Sequence, residues 1–400
     1  MKHTTIIPLI GNIALASEAA YNTNLSEIYS FEPFANNDSH LMNYYEFKNR
    51  DVDYRVLSDD SNITETYDVV STICPCAGLS GLSKSSSADN PANDWMYKTA
   101  NVVLEHMQPQ VFWGENAPAL ATNKGHKVRD SLAAIGKKFG YSFTVYKTNS
   151  ILHGIPQKRP RTFYFFWKGD KAPVMEWYKL PYEPIETYVD NHATGNSLQT
   201  RFKGAWKVPS DNPYYRYIRE VIHPGVSHQE LHEIIDKPWE LITYIRSKNE
   251  LRGLAKWFGD NDDQKMHERW TAKAQKVEDG FNLFCRGGYM PKNYCTSIIG
   301  NGVMENLMHP GEERFMTIRE VMTLMGLPQD FELLHPNKFA NHIAQNVPFN
   351  TAKCMAEQVK KFVDNDLEMC YSNYILQDND RQQLVDWQEH PTPSLKEHFA

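Results

Sequence analysis

Cysteine is scarce in this chain, and the scarcity excludes two kinds of molecule. Six cysteines stand among 400 residues, at positions 74, 76, 285, 295, 354 and 370. The one close pair, Cys74-Pro75-Cys76, is too tight for a disulfide framework, and no second CxxC completes a zinc signature. No metal is expected. Long apolar runs are also missing. None approaches the roughly 20 residues of a membrane span, so no membrane partner is expected. The first residues, MKHTTIIPLIGNIALASEAAY, hold a short apolar run, but Glu18 and a continuing helical pattern follow at once. That is not signal-peptide architecture, and a cytoplasmic location is the expectation. There is no excess of positive charge either: 42 Lys and Arg face 49 Asp and Glu, for a net charge of −7. The sum does not advertise a nucleic-acid partner. Internal repeats and long low-complexity runs are absent as well.

The distribution of charge says more than its sum. Between residues 121 and 168 ten basic residues stand against one acid, Asp130. Lys137 and Lys138 read as a solvated helix face and the Arg159/Arg161 cluster does not, and the run as a whole is expected to face a polyanion. The first half of the chain alternates apolar, strand-like runs with helical patterns. TTIIPLI, EIYSFE, YDVVSTI, QVFWGEN, YSFTVYKTN and TFYFFWKG read as strands. NIALASEAAYN, SHLMNYYEFKN, DWMYKTANVVLEHMQ and GHKVRDSLAAIGKKFG read as helices. Such repetition predicts an α/β fold, a doubly wound and mostly parallel sheet with helices on both faces. Ligands of such sheets bind beyond the carboxyl ends of the strands. From about residue 170 the rhythm breaks into a stretch rich in Trp, Tyr, Pro and charge, read as a separate irregular domain. Helical patterns return after Arg314, and the last residues are polar. The expected division is 1–170, 171–312, 313–365 as a return to the first domain, and 366–400 as a peripheral tail.

Three short elements fall at predicted strand ends. Cys76 follows the run DVVSTI and precedes Gly78, Ser80, Gly81 and Ser83. A thiol there, beside a loop of small residues, suits a nucleophile; a buried structural cysteine is the alternative. Glu115-Asn116 follows QVFWG. A carboxyl at that place, partly desolvated, can carry or share a proton, although a lone Glu at a strand end is more often solvated. Third, Gln157-Lys158-Arg159-Pro160-Arg161 places two arginines two residues apart on a segment that prolines hold extended. They could clamp a carboxylate, a phosphate or a base carbonyl. Thiol, carboxyl and arginines together suit addition to an electron-poor ring.

In this order the motifs resemble the cytosine-C5 DNA methyltransferase family. Cys74-Pro75-Cys76-Ala77-Gly78-Leu79-Ser80 is similar to its nucleophile motif, Glu115-Asn116 to its EN motif, and Gln157, Arg159 and Arg161 to its QxRxR motif. His309-Pro310, Arg314 to Glu320, Gly326-Leu327-Pro328 and Ile343 to Pro348 resemble later family segments. The resemblance implies a Rossmann-like fold, S-adenosylmethionine as cofactor, double-stranded DNA as partner and a monomeric enzyme. Cys76, Glu115, Arg159 and Arg161 would be catalytic. Ser80, Ser83, Asn116, Gln157, Tyr289 and Thr296 would contact an extruded cytosine or the DNA around it. Extrusion is required, because C5 and C6 are stacked inside a duplex.

On the donor side the resemblance implies Leu9, Gly11, Asn12, Ile13, Glu32, Asp60, Pro75, Gln345 and Val347 as cofactor-binding. Here the sequence departs from the family. The turn Pro8-Leu9-Ile10-Gly11-Asn12-Ile13-Ala14 keeps one glycine where the family is glycine-rich. Ala77 stands for the usual Gln, and Ala344-Gln345 for the usual Gly-Asn. Two readings therefore stand beside ordinary methyl transfer: a modified, larger or carboxylated sulfonium donor, and a DNA-binding relative of weak activity.

Overall fold

The structure is a computed structural model that describes residues 1–58, 63–81, 86–193, 208–238, 240–280, 291–300, 307–312 and 314–386, with backbone alone at 336–338. Its strands are β1 (His3–Ile6), β2 (Glu27–Phe31), β3 (Asp53–Leu57), β4 (Val69–Ile73), β5 (Val111–Asn116), β6 (Tyr141–Asn149), β7 (Gln157–Lys158), β8 (Pro160–Lys168), β9 (Cys295–Thr296), β10 (Tyr374–Asp378) and β11 (Gln383–Asp386). The α-helices are α1 (Asn12–Tyr21), α2 (Ala35–Phe47), α3 (Asp94–Val102), α4 (His126–Lys138), α5 (Ile185–His192), α6 (Pro213–Tyr217), α7 (His228–Ile234), α8 (Leu241–Ser247), α9 (Leu251–Asp260), α10 (Gln264–Glu278), α11 (Ile318–Leu324), α12 (Pro336–Ala344) and α13 (Phe349–Val363).

The chain divides into two units. The first comprises Met1–Thr200, Lys292–Gly300 and Ile318–Ala400; the second comprises Arg201–Pro291 and Asn301–Thr317. The first unit thus reaches past residue 170 and takes back 292–300, short of the expected boundary at 312.

In the first unit nine strands run in the order β11-β10-β6-β8-β5-β4-β1-β2-β3. Pairing is parallel throughout β5-β4-β1-β2-β3 and between β6 and β10. It is antiparallel where β8 meets β5 and β6, and between β10 and β11. The sheet is mostly parallel with helices packed on it, as the alternating pattern predicts. Residues of one strand go alternately to two cores. Val70, Phe112, Tyr164 and Phe166 join Met96 and Ala100 of α3 and Val128 and Leu132 of α4. Val69, Trp113, Phe163 and Phe165 join Ile13 and Ala16 of α1 and Met355 and Val359 of α13. Both faces are covered, which is why the β8 sequence FYFFW shows no polar alternation.

Three expectations are corrected. Residues 374–386 are not part of a peripheral tail: β10 lies beside β6, its five residues all buried. Its first three, Tyr374–Leu376, supply the apolar contacts and Gln377 bonds the Met175 backbone, so a mixed sequence serves a buried strand. The tail beyond 386 lies outside the described residues. The middle region is not irregular. Its unit carries α6 to α10 around a core that includes Tyr215, Tyr217, Leu231, Leu254, Phe258 and Trp270. A capping box, with Ser227 and Glu230 each bonding the other's backbone N–H, starts α7. Finally, the basic run does not present all its charge. Arg129 is buried and donates to the carbonyls of Leu120 and Thr122. Lys147 pairs with buried Asp378 at 2.7 Å.

Candidate active site

The strand order decides which side chains meet. β4 and β5 are parallel neighbours, with Ile73 opposite Glu115, so Cys74-Pro75-Cys76 leaves β4 just where Glu115 ends β5. β8 runs antiparallel to β5, with Thr162 opposite Asn116. Its first residues therefore lie at the carboxyl end of the parallel strands, and Arg161 comes beside Glu115. The Arg161 Nε is 2.7 Å from the Glu115 carboxylate.

Cys76 and Cys74 differ in setting. Cys74 is fully enclosed, its Sγ 3.6 Å from the hydroxyls of Thr72 and Tyr164 and 3.7 Å from that of Thr99. Tyr164 can reach it only because residue 114 is glycine; a Cβ there would stand 2.5 Å from the Tyr164 hydroxyl. Cys74 is a structural cysteine. Cys76 is partly exposed, and its carbonyl accepts from the N–H groups of Leu79 and Ser80, closing a turn directly after it. Burial pushes the Cys76 thiol above its ordinary value; the Glu115 charge adds to this, and Arg161 and Arg159 oppose it. Burial likewise pushes the Glu115 carboxyl up against the pull of Arg161 and Arg159. Glu115 is only 3% exposed, so the lost hydration outweighs the arginines.

The two arginines do not form one clamp. Arg159 is fully buried, and its guanidinium donates to the carbonyls of Ile298 (2.5 Å), Ala344 (2.6 Å) and Asn346 (2.8 Å). That geometry makes it a positioning residue whose charge still acts on the site, not a group free to reach a base. Asn116 and Gln157, expected at the DNA, are also fully buried. Asn116 Nδ2 donates to the Pro75 carbonyl at 3.4 Å, while its Oδ1 accepts the Ala117 N–H at 2.8 Å. Gln157 bridges the Leu324 carbonyl and the Ile298 N–H, both at 3.3 Å. Both side chains brace the site from within. The sequence could not reveal this, because their partners return from more than a hundred residues away or from a turn. Thr296 is exposed in β9, paired with Lys158, and Ser80 is partly exposed. Ser83 and Tyr289 lie outside the described residues.

The residues expected on the donor side follow four elements: Leu9 to Ile13 come after β1, Glu32 after β2, Pro75 after β4, and Gln345 and Val347 after α12. Between β1 and α1 the backbone turns through left-handed residues, with φ of 56° at Ile7, 52° at Leu9 and 103° at Gly11. A Cβ on Gly11 would come within 2.5 Å of Leu41, so this glycine is required twice over. The Leu9 N–H donates to buried Asp38 at 2.9 Å, a contact with no sequence signal. Ile13 is buried in the core, Glu32 is exposed directly after β2, and Pro75 is partly exposed. Gln345 is exposed at the end of α12, and Val347 is buried. Asn12 is buried and directs its amide into the protein. Asp60 lies outside the described residues. Among the described residues no cluster of three or more metal ligands occurs, and no helix is long and apolar enough to cross a membrane.

A thiol, a carboxyl and an arginine thus stand at the carboxyl ends of a doubly wound sheet, the place where ligands of such sheets bind, near a left-handed turn after β1. The model of the C-5 cytosine-specific DNA methylase family matches residues 5–361, and the chain belongs to that family of DNA cytosine-5 methyltransferases. It is 23% identical over 337 residues to the type II methyltransferase M1.HphI of Haemophilus parahaemolyticus, which covers 82% of this chain and 79% of that one. Among solved structures, a prophage-encoded E. coli protein described as a DNA modification methyltransferase is similar in fold. Its TM-score is 0.53 at 14% identity, over 90% of this chain and 99% of that one. The Entamoeba histolytica methyltransferase EhMeth gives 0.50 at 13% identity, over 91% and 98%.

Proposed function

We propose that the chain transfers a methyl group to C5 of a cytosine extruded from duplex DNA, through a covalent bond between Cys76 and C6. The observation that carries this reading is the convergence of Cys76, Glu115 and Arg161 at the ends of β4, β5 and β8. Glu115 is the acid for the ring nitrogen N3, and Arg161 binds the ring carbonyl. The proton accounts of the two groups are linked. A Glu115 that carries its proton no longer opposes ionisation of Cys76, while Arg159 and Arg161 still favour it. The thiolate adds to C6, N3 takes the proton from Glu115, and C5 gains the electron pair with which it takes the methyl group. Loss of the C5 proton to a base then lets the C6–S bond break and restores the thiolate, and N3 returns its proton to Glu115. Arg161 must release Glu115, or share it, when the base enters.

Two features support S-adenosylmethionine as the donor: Leu9 holds a left-handed backbone in the stretch that the family makes glycine-rich, and Glu32 stands exposed directly after β2, suited to ribose hydroxyls. When bound there, S-adenosylmethionine supplies an electrophilic methyl on a positive sulfur. Gln345, Pro75 and the turn from Leu9 to Ile13 would hold it. Its modified, bulkier forms are the second reading, favoured by exposed Ala77 where the family carries a long side chain. The experiment is incubation with labelled S-adenosylmethionine and mixed-sequence DNA, followed by mass spectrometry of the nucleosides. Methylcytosine supports the main reading, a heavier cytosine the second, and unmodified cytosine under conditions of proven DNA and donor binding contradicts both.

A further inference from the structure

Asn12 does what a glycine at its position could not do. It is the first residue of α1 and is completely buried. Its Nδ2 donates to two main-chain carbonyls, Met325 at 2.7 Å and Val347 at 2.8 Å. Both amide hydrogens are thereby used. The Met325 carbonyl also accepts the Phe349 N–H at 2.9 Å, so both of its lone pairs are engaged. Asn12 Oδ1 has no partner. Burying that oxygen is unfavourable, and the two donations must outweigh it.

The second half of the observation is what else holds the same strip of backbone. Arg159 donates to the carbonyls of Ala344 and Asn346. Gln157 donates to the Leu324 carbonyl, next to Met325. Thus the segments 324–325 and 344–347 are gripped from two directions: by Asn12, which opens the helix after the donor turn, and by the Gln157–Arg159 segment that leads into β8 and Arg161. The two ends of the reaction meet on one piece of main chain.

We propose that Asn12 is a positioning residue that registers the donor turn against the strip that Arg159 fixes on the base side, and so sets the distance between transferable group and C5. This rests on the reading that the donor lies at the turn after β1. Misplacement by about 1 Å is enough to lower transfer about 10²-fold, whereas addition of Cys76 to C6 does not involve the donor and should survive.

The test uses the full chain with Asn12→Ala and Asn12→Asp. The aspartate keeps the shape, removes both N–H donors and sets oxygen against two carbonyls. Three quantities are read: methyl transfer to DNA, donor-free release of tritium from C5 of cytosine, and hydrogen exchange of the amides of 344–349. Transfer should fall about tenfold or more in both variants, the scale of two lost hydrogen bonds, with aspartate the lower. Tritium release should fall much less than transfer, since Arg159 keeps its own bonds to Ala344 and Asn346, and exchange at 344–349 should quicken. Equal loss of tritium release and transfer would reduce Asn12 to a stability role and overturn the proposal, as would wild-type transfer in the alanine variant. Failure of the unaltered protein to bind S-adenosylmethionine would sink the donor reading instead. The amide-exchange arm needs no donor, and unchanged exchange in both variants would then reject the tie itself.

Discussion

The proposed base side and the proposed donor side sit on neighbouring strand ends but are made of different material. On the base side the working groups are side chains: the Cys76 thiol, the Glu115 carboxyl and the Arg161 guanidinium. On the donor side the recognisable feature is backbone, a turn with left-handed residues at Ile7, Leu9 and Gly11. The two materials tolerate substitution differently. A thiol nucleophile has no substitute. A left-handed backbone strongly favours glycine, yet another residue can hold it at a cost of about 1–2 kcal/mol, if neighbours such as the Asp38–Leu9 contact and the Asn12 tie keep the turn in place. The turn thus holds its left-handed residues in a stretch that departs from the glycine-rich pattern.

Substitutions can break or sharpen this contrast. The largest effect belongs to the thiols. Cys76→Ala should bring methylation below detection, while Cys74→Ala should keep it and lose only packing; quantifying methylcytosine made by each variant checks the difference. Next comes Glu115→Gln, expected to lower turnover by about 10²–10⁴-fold with DNA affinity nearly unchanged, because a positioned acid contributes on that scale. Single-turnover rates beside a DNA-binding titration separate the two. On the donor side Glu32→Gln should be milder, a rise of about tenfold in the KM for S-adenosylmethionine with kcat held, the worth of one hydrogen bond to a charged group. Equal losses in kcat at Glu32 and Glu115 would erase the contrast.

Acid should give the smallest effect, and should reach the support of the donor turn. His40 on α2 accepts the Leu334 N–H at Nδ1, so its Nε2 carries the hydrogen and donates to His342 Nδ1 on α12 at 3.0 Å. Protonating either ring sets donor against donor. Burial, then the neighbouring His342 and His335, pushes His40 down to about 4, and burial lowers His342. The unfolded chain takes up these protons first. Stability is therefore full above the ordinary histidine range and is lost as pH falls from about 6.5 toward 4, by at most about 1.4 kcal/mol per pH unit for each ring. Asp38, pushed up to about 6 by burial, works in the opposite sense and returns part of the loss between about pH 6 and the ordinary aspartate value. Denaturant melts at pH 7.5, 6.5 and 5.5 should show a fall in midpoint; a rise on acidification would contradict the histidine assignment.

The same division explains what the sequence made legible. Strands with apolar runs, such as Val69–Ile73 and Val111–Asn116, stand out because both faces are buried. The edge strand Asp53–Leu57 was not expected, since DYRVL is largely exposed and carries charge. β10 was hidden because Gln377 and Asp378 sit in a buried strand and bond inward. The helices of the second unit were obscured by their Tyr, Trp and Pro content, although SHQE at 227–230 and the apolar spacing of Leu251, Leu254, Ala255 and Phe258 were usable signals. In the site, residue types revealed the chemistry of Cys76 and Glu115. They did not reveal that Arg159, Asn116, Gln157 and Asn12 face inward, because the carbonyls they hold are brought there by the fold and carry no side-chain signature.

The most direct test of the central claim is to map the covalent bond. Duplex DNA with 5-fluorocytosine at target positions stops the reaction after methyl transfer, because the proton normally lost from C5 is replaced by fluorine. Digestion and mass spectrometry of the trapped complex should find the cytosine, with one added methyl, on the peptide that contains Cys76, and none in Cys76→Ala. A trapped complex formed by Cys76→Ala, or an adduct mapped to Cys74 or any other residue, would contradict the account.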